Sequence, residues 1–284
     1  MRLVAFERGG GQPGLGLRVG DEIVDLTALG LPATLPEWLH HGAEGMTSAR
    51  SAASRAKTRL PLAAIKYLPP VVAPPKAIAV GLNYVDHAAE SPYKDAPKYP
   101  VLFHRFPQSW VAHGEPLVRP HVSQQFDYEG EMVVVIGKAG RYIAKERALD
   151  HVAGYTCFVD GSVRDYQKFS VTSGKNFPAT GPLGPWIVTT DEITDPARLM
   201  LTTRLNGQEV QKSATDLLIY SVPQIIAFCS NFTPLVPGDV IATGTPEGVG
   251  HRRNPPLWMK PGDVLEVEIS GIGTLRNRVV DEKA

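Results

Sequence analysis

The run Phe126-Asp127-Tyr128-Glu129-Gly130-Glu131-Met132-Val133-Val134-Val135-Ile136-Gly137 sets carboxylates at the entrance to an apolar stretch. Val133 to Ile136 predicts a buried strand, and residues two apart on a strand point to one face. Glu129 and Glu131 are therefore held side by side, with Asp127 at the same parity. Carboxylates taken into a core need a cation, an arginine or a shared proton, because unpaired buried charge is costly. A divalent metal site meets that need. An exposed antiparallel strand carrying ordinary surface acids gives the same pattern. Asp160 ends a second apolar run, Gly154 to Val159. It either caps the helix expected over Gly161–Gln167 or completes an all-oxygen site with Glu129 and Glu131. Such a set suits Mg²⁺ or Mn²⁺ and admits Ca²⁺; zinc prefers nitrogen and sulfur ligands.

His87 and Glu90, spaced i, i+3, share one face of a short helix. A glutamate beside a histidine orients the imidazole and raises its pKa, which makes a general base. Helix surfaces also carry such pairs with no chemistry attached. Lys175 stands in Ser173-Gly174-Lys175-Asn176-Phe177, where an amine could meet a substrate carboxylate. The glycine spacing of a Walker phosphate loop is missing there. Thr243-Gly244-Thr245-Pro246-Glu247-Gly248-Val249-Gly250 is rich in glycine but opens no βαβ helix. Its backbone N–H groups and a threonine hydroxyl suit an anionic substrate rather than a nucleotide.

Many short strands and tight turns must position these groups, since Gly 27 and Pro 25 in 284 residues are spread along the chain. Residues 1–72 are expected to form a small N-terminal domain, with strands over Leu3–Glu7 and Gly16–Asp25 and helices over Leu35–His41 and Ala43–Arg59. The proline-dense run Leu68 to Pro75 marks the boundary. Residues 73–284 form the larger domain, opened by a buried strand over Ala77–Gly81 and a short helix over Tyr84–Glu90. Further strands are expected over Leu102–His104, Gly130–Ile136, Val152–Asp160, Gly184–Thr189, Leu199–Leu205, Val240–Thr243 and Val264–Ile269. Helices are expected over Glu146–Leu149, Gly161–Gln167 and Val222–Ser230. The fold class is predominantly β with short helices.

Lys+Arg 29 and Asp+Glu 29 cancel, which gives no reason to expect a nucleic acid or an anionic membrane as partner. No apolar run approaches the ~18 residues that span a bilayer, and the first residues lack the apolar core of a secretory signal. Cys157 and Cys229 lie in apolar contexts and read as buried thiols. A cytoplasmic enzyme is the expectation.

The chain resembles the fumarylacetoacetate hydrolase family in its bacterial catalytic-domain form. The likeness covers about residues 75–280. It rests on Gly81-Leu82-Asn83-Tyr84 with His87 and Glu90, Tyr128-Glu129-Gly130-Glu131, Val159-Asp160 with Arg164, Asp165 and Gln167, Gly174-Lys175, Gly181 to Trp186, Leu205-Asn206-Gly207, Pro237 to Pro246, and Pro261-Gly262-Asp263. The resemblance implies a mixed β-sandwich roll, usually a homodimer. It implies Glu129, Glu131 and Asp160 as metal ligands, and His87 with Glu90 as the base that activates water. It implies Arg164, Gln167 and Lys175 at substrate oxygens or developing negative charge, and Tyr84, Gly244 and Thr245 as substrate-binding positions.

The substrate implied is a small 2-oxo or diketo acid. The expected reaction is hydrolysis of a C–C bond in an acylpyruvate such as fumarylacetoacetate or fumarylpyruvate, with the departing carbon leaving as an enolate. The alternative is a decarboxylase, lyase or isomerase of the oxaloacetate decarboxylase, hydroxymuconate isomerase or ureidoglycolate lyase type, which shares the enolate. A binding protein without activity would lack one of the three carboxylates, and none is missing. Two departures stand out. The stretch from Asp160 to Lys175, with the lid segment Tyr166–Ser173, is shorter than in several members. Gly161 stands where bulkier residues are common.

Overall fold

The computed structural model describes residues 1–90 and 97–283. Segments from all along the chain meet in one long mixed sheet. Its order is Leu60–Pro61, Glu22–Asp25, Gln12–Val19, Arg2–Arg8, Gly181–Thr189, Val152–Val159, Gly130–Ile136, Val240–Ala242, Ala77–Gly81 and Val101–His104. Lys66–Tyr67 and Trp110–Ala112 attach beside it. A second sheet runs Gln208–Ala214, Met200–Leu205, Val264–Ile269, Gly273–Asp281 and Leu117–Arg119.

The strand Gly130–Ile136 is buried along its whole length, and its two faces serve two cores. Met132, Val134 and Ile136 join a cluster with Leu201, Val267 and Leu275 of the second sheet. Val133 and Val135 join a cluster with Leu3, Leu17, Leu35 and Trp38 of the first 72 residues. The alternation follows from the period of two along a strand. It accounts for the unbroken apolar run, because a strand covered on both faces has no polar side to show. The N-terminal segment is thus hydrogen-bonded into the main sheet, with Arg2 opposite Val188 and Leu3 opposite Ile187.

Most expected elements form within a residue or two. The helix Val222–Phe232 carries Pro223 in its first turn, and Ser221 N–H donates to Gln224 Oε1 at 2.9 Å. Its buried residues Val222, Ile225, Ile226 and Cys229 fall on one helical face. Cys157 and Cys229 are both buried and unbridged, and burial pushes each thiol up to about 12.

Two expectations fail. Gly16–Asp25 is not one strand: it breaks at a tight turn over Gly20 and Asp21, and Glu22–Asp25 pairs back antiparallel on Gln12–Val19. Gly161–Gln167 is not a helix. Ser162–Val163 pairs as a short strand with Phe126–Asp127, and a 3-10 turn follows at Tyr166–Lys168. The reason is tertiary: the backbone of 162–163 hydrogen-bonds to Phe126–Asp127 instead of to itself, and Gly161 packs so close to Thr180 that a Cβ would lie 2.0 Å from its carbonyl oxygen. The strands Gln208–Ala214 and Gly273–Asp281 and the helix Val171–Lys175 were not foreseen.

His113 joins the two sheets. Its ring meets Tyr67 edge-on at 4.8 Å between centroids, and its Nδ1 accepts the Arg276 N–H at 3.1 Å. Burial, aided by the Arg276 guanidinium, pushes the imidazole down to about 4. The folded state therefore keeps His113 neutral while the unfolded chain protonates near its ordinary pKa of about 6.5. Stability from this group is complete above that pH and drains away as pH falls towards 4, by up to about 3 kcal/mol. Urea denaturation from pH 7 to pH 4.5 should show this slope, and His113→Gln should flatten it. An unchanged slope in the variant would refute the assignment.

Candidate metal and enolate site

The antiparallel register brings the carboxylates together. Gly130 lies opposite Val159 and Glu131 opposite Phe158. One step outward, Asp160 N–H donates to Glu129 O at 2.8 Å, which sets Glu129 and Asp160 next to each other. Glu129, Glu131 and Asp160 are all buried and offer oxygens within 4.8 Å of one another. Gly130 between the glutamates is required, since a Cβ there would lie 2.1 Å from Thr203 Oγ1 of the second sheet.

Asp127 shares their parity but not their site. It accepts Gly250 N–H at 2.8 Å, His251 N–H at 3.0 Å and the Arg164 Nε–H at 2.8 Å. It is a loop anchor, and its other partner Arg164 also binds Glu129.

Cations meet most of this charge. Lys175 Nζ donates to Glu129 Oε2 at 2.5 Å and to Asp160 Oδ2. Arg105, absent from the sequence reading, is fully buried and donates to Asp160 Oδ1 at 2.9 Å. Burial opposes ionisation of Glu129, but Lys175 and Arg164 hold its carboxyl well below the usual range. At Asp160 burial wins over Lys175 and Arg105, and its carboxyl is raised. Glu131 has the Gly244 N–H at 2.9 Å and no ion pair among the described residues. Burial, then Asp160 and Glu129, push it well above the carboxylate range. Like charges this close repel by about 3 kcal/mol at an effective dielectric of ~20. Three buried, convergent carboxylate oxygens with one carboxylate left uncompensated fit a hard divalent cation.

The remaining residues form the walls of a cavity of about 250 Å³ that includes Leu82, His87, Phe103, Arg164, Gln167, Val171, Lys175 and Thr245. Ser170 caps the helix Val171–Lys175, and a Cβ at Gly174 would press into Gln167 at 2.2 Å. That close packing brings the helix that carries Lys175 against Gln167. Arg164 spends its donors on Asp127, Glu129 and, at 2.9 Å, Gln167 Oε1. The Gln167 amide NH₂ has no partner among the described residues and is available to a ligand.

His87 Nδ1 lies 3.4 Å from Glu90 Oε2, and Glu90 Oε1 accepts Gly248 N–H at 3.1 Å. Burial works against it, yet His87 and that N–H hold the Glu90 carboxyl below its usual range. The Thr245 hydroxyl donates to Gly130 O at 2.9 Å and accepts from Gln211 Nε2 at 2.8 Å. Its proton is committed, so it serves the strand mouth first. Gly244, at φ +104°, has no room for a Cβ, which would sit 2.8 Å from Asn83 Cβ. Tyr84 is buried outside the cavity lining, and its hydroxyl has no hydrogen-bond partner among the described residues.

Arg105, Gln211 and Asn83 were not singled out as site residues in the sequence. Arg105 follows the strand Val101–His104 as Asp160 follows Val152–Val159, a charge at a strand end, which is the one local signal available. Gln211 lies on a strand too polar to read as buried.

Residues 76–280 match the family described as Fumarylacetoacetate (FAA) hydrolase C-terminal. The oxaloacetate tautomerase fahd2, mitochondrial, of Xenopus laevis is 41% identical, over 99% of this chain and 90% of its own length. Human oxaloacetate tautomerase FAHD2A, mitochondrial, is 40% identical over 94% of this chain and 88% of its own. Among solved structures, a fumarylacetoacetate hydrolase from Exiguobacterium antarcticum superposes with TM-score 0.86 at 38% identity, over 99% of this chain and all of that one. Maleylpyruvate hydrolase from Sphingobium sp. SYK-6, in complex with manganese(II) ion and pyruvate, superposes with TM-score 0.84 at 34% identity over the whole of both chains.

Glu131→Gln keeps the side-chain shape and removes the uncompensated charge. At pH 8 the metal-free variant should gain about 1–3 kcal/mol of stability, and its thermal midpoint should stop responding to Mn²⁺. In the wild type, Mn²⁺ at a hundred times its Kd should add about 2.7 kcal/mol. A variant still stabilised by Mn²⁺ would remove Glu131 from the metal site.

Proposed function

This chain belongs to the fumarylacetoacetate hydrolase family, an enzyme family, and on that premise we propose that it forms the enolate of a small 2-oxo dicarboxylate, with keto–enol tautomerisation of oxaloacetate as the reaction. The observation that carries this reading is one small cavity lined by both the carboxylate cluster and His87, whose imidazole has Glu90 as its partner. At about 250 Å³ it falls below the ~300–1,000 Å³ of drug-sized ligand pockets, which favours a compact substrate.

Glu129, Glu131 and Asp160 would hold Mg²⁺ or Mn²⁺. When bound, the cation supplies Lewis-acid polarisation of a carbonyl and compensates enolate charge. His87 takes the proton from the carbon beside that carbonyl and gives it to the resulting enolate oxygen, which makes the enol; the same transfers in reverse convert enol to keto form. Glu90, fixed by Gly248 N–H, holds the imidazole in place. Gln167 Nε2 donates to a substrate oxygen. The Lys175 ammonium, anchored by two carboxylates, adds positive field without leaving its seat. Leu82, Val101, Phe103 and Val171 give the carbon skeleton an apolar wall.

Acylpyruvate hydrolysis is the second reading. The His87–Glu90 pair, which can activate water, and the overlap with maleylpyruvate hydrolase support it. Tautomerisation needs no water in the reacting step, whereas hydrolysis incorporates one.

With Mn²⁺ present, the purified protein should accelerate decay of enol-oxaloacetate absorbance. Hydrolysis products from acylpyruvates in ¹⁸O-water, without tautomerase activity, would replace the first reading with the second. His87→Asn should lower kcat by about 10²–10⁴ and leave Mn²⁺ binding intact. Gln167→Leu should raise KM about tenfold with a smaller change in kcat, as expected for one lost hydrogen bond of ~1–1.5 kcal/mol. Wild-type kinetics in either variant would remove that residue from the mechanism.

A further inference from the structure

Glu90 is the last residue of the six-residue helix Val85–Glu90. A helix this short does not hold itself in water, so its final side chain needs an anchor from elsewhere in the fold. Among the described residues the Glu90 carboxylate has two hydrogen-bond partners: His87 Nδ1 at Oε2 and the Gly248 N–H at Oε1. The glycine of that second contact is confined. Gly248 has φ +92°, and a Cβ there would lie 2.3 Å from the Val210 carbonyl oxygen of the second sheet.

Arg253 does the confining. Its Nε–H donates to Gly248 O at 3.1 Å and to the Tyr128 hydroxyl at 2.9 Å, and that hydroxyl donates to Gly248 O at 3.1 Å. Its Nη2 donates to Val210 O at 2.6 Å. One guanidinium thus ties the Gly248 carbonyl to the second sheet, while Asp127 accepts the Gly250 and His251 N–H groups further along the loop. Among the described residues every hydrogen bond of the Arg253 side chain goes to Gly248, Tyr128 or Val210, and none to a carboxylate. Arg253 is absent from the walls of the substrate cavity. It lines a separate open cleft with Glu90, Gly248 and Val210, so it reaches the His87–Glu90 pair from behind.

We propose that Arg253 is a positioning residue for the base: by clamping the Gly248 carbonyl it keeps the Gly248 N–H on Glu90, and Glu90 in turn keeps the His87 imidazole on the wall of the cavity. A carboxylate that loses its second partner turns freely about its own side-chain torsions. Its contact with His87, at 3.4 Å, is longer than an ordinary hydrogen bond and does not hold it unaided. The inference rests on His87 as the base of the proposed function, and it holds for tautomerisation and for hydrolysis alike.

Steady-state kinetics of Arg253 variants, on whichever of the two reactions the protein runs, tests it together with calorimetric Mn²⁺ binding. Arg253→Met should lower kcat by about tenfold to a hundredfold and leave KM and the Mn²⁺ Kd within about twofold, the pattern of one lost hydrogen bond to a charged group away from substrate and metal. Arg253→Lys, which can still donate to Gly248 O, should recover part of the loss. In a Glu90→Ala background Arg253→Met should cost less than about twofold more, because residues that act through one another are not additive. Equal losses in the two backgrounds, or an Mn²⁺ Kd that weakens in step with kcat, would overturn the proposal. Should Arg253→Met not fold, Arg253→Gln takes its place with amide hydrogen exchange as the readout. The Gly248 N–H, slow to exchange in the wild type, should exchange faster in that variant; an unchanged rate would overturn the clamp. A His87→Asn variant with wild-type turnover would instead overturn the base beneath the proposal.

Discussion

The constraint on which the site depends is an imbalance of buried charge. Asp127, Glu129, Glu131 and Asp160 put four carboxylates where strands enter the core, and Arg105, Arg164 and Lys175 supply three cations. Each side chain in that set is worse off alone, since removing one partner strands another charge in a low-dielectric setting. The set as a whole is one positive charge short, and the shortfall falls on Glu131. A cluster of buried carboxylates left one positive charge short is chemically suited to a divalent cation.

The surrounding architecture reads as what such a cluster needs. Two antiparallel strands covered on both faces supply a stiff base, and their register decides that Glu129 and Asp160 lie adjacent. The second sheet reaches in through Gln211, which accepts Gly130 N–H at 3.0 Å and donates to Thr245 at 2.8 Å. Asn83 ties the turn before the His87 helix to Thr243 O at 2.7 Å. These neutral hydrogen bonds fix the strand mouth so that the charged groups need not reorganise when a ligand arrives, which is the condition for electrostatic stabilisation of developing charge.

Glycines occur where backbone and charged side chains must approach closely. Gly130, Gly161, Gly174, Gly181 and Gly244 each border the site, and at each an added Cβ would come within 2.8 Å of a neighbouring atom. In the sequence they look like ordinary turn residues. In the fold they are the space through which Lys175, Arg105 and the two carboxylate strands converge.

The amino-acid sequence by itself determined the strand Gly130–Ile136, the parity that puts Glu129 and Glu131 on one side, the helix that begins at Pro223, and the family to which the chain belongs. These are local: they follow from periods of two and 3.6, proline chemistry and ordered motifs. Tertiary structure alone decided that Asp127 leaves the cluster for the Gly250 loop, that Gly161–Gln167 runs extended, and that Arg105 reaches Asp160. It also decided that Thr245 spends its proton on Gly130 and that Tyr84 packs outside the cavity. The physical reason is the same in each case. Which partner a buried polar group finds depends on residues brought next to it by register between distant strands, such as 105 beside 160 and 130 beside 211. No spacing along the chain encodes those meetings, although the cost of burying charge dictates that some such partner must exist.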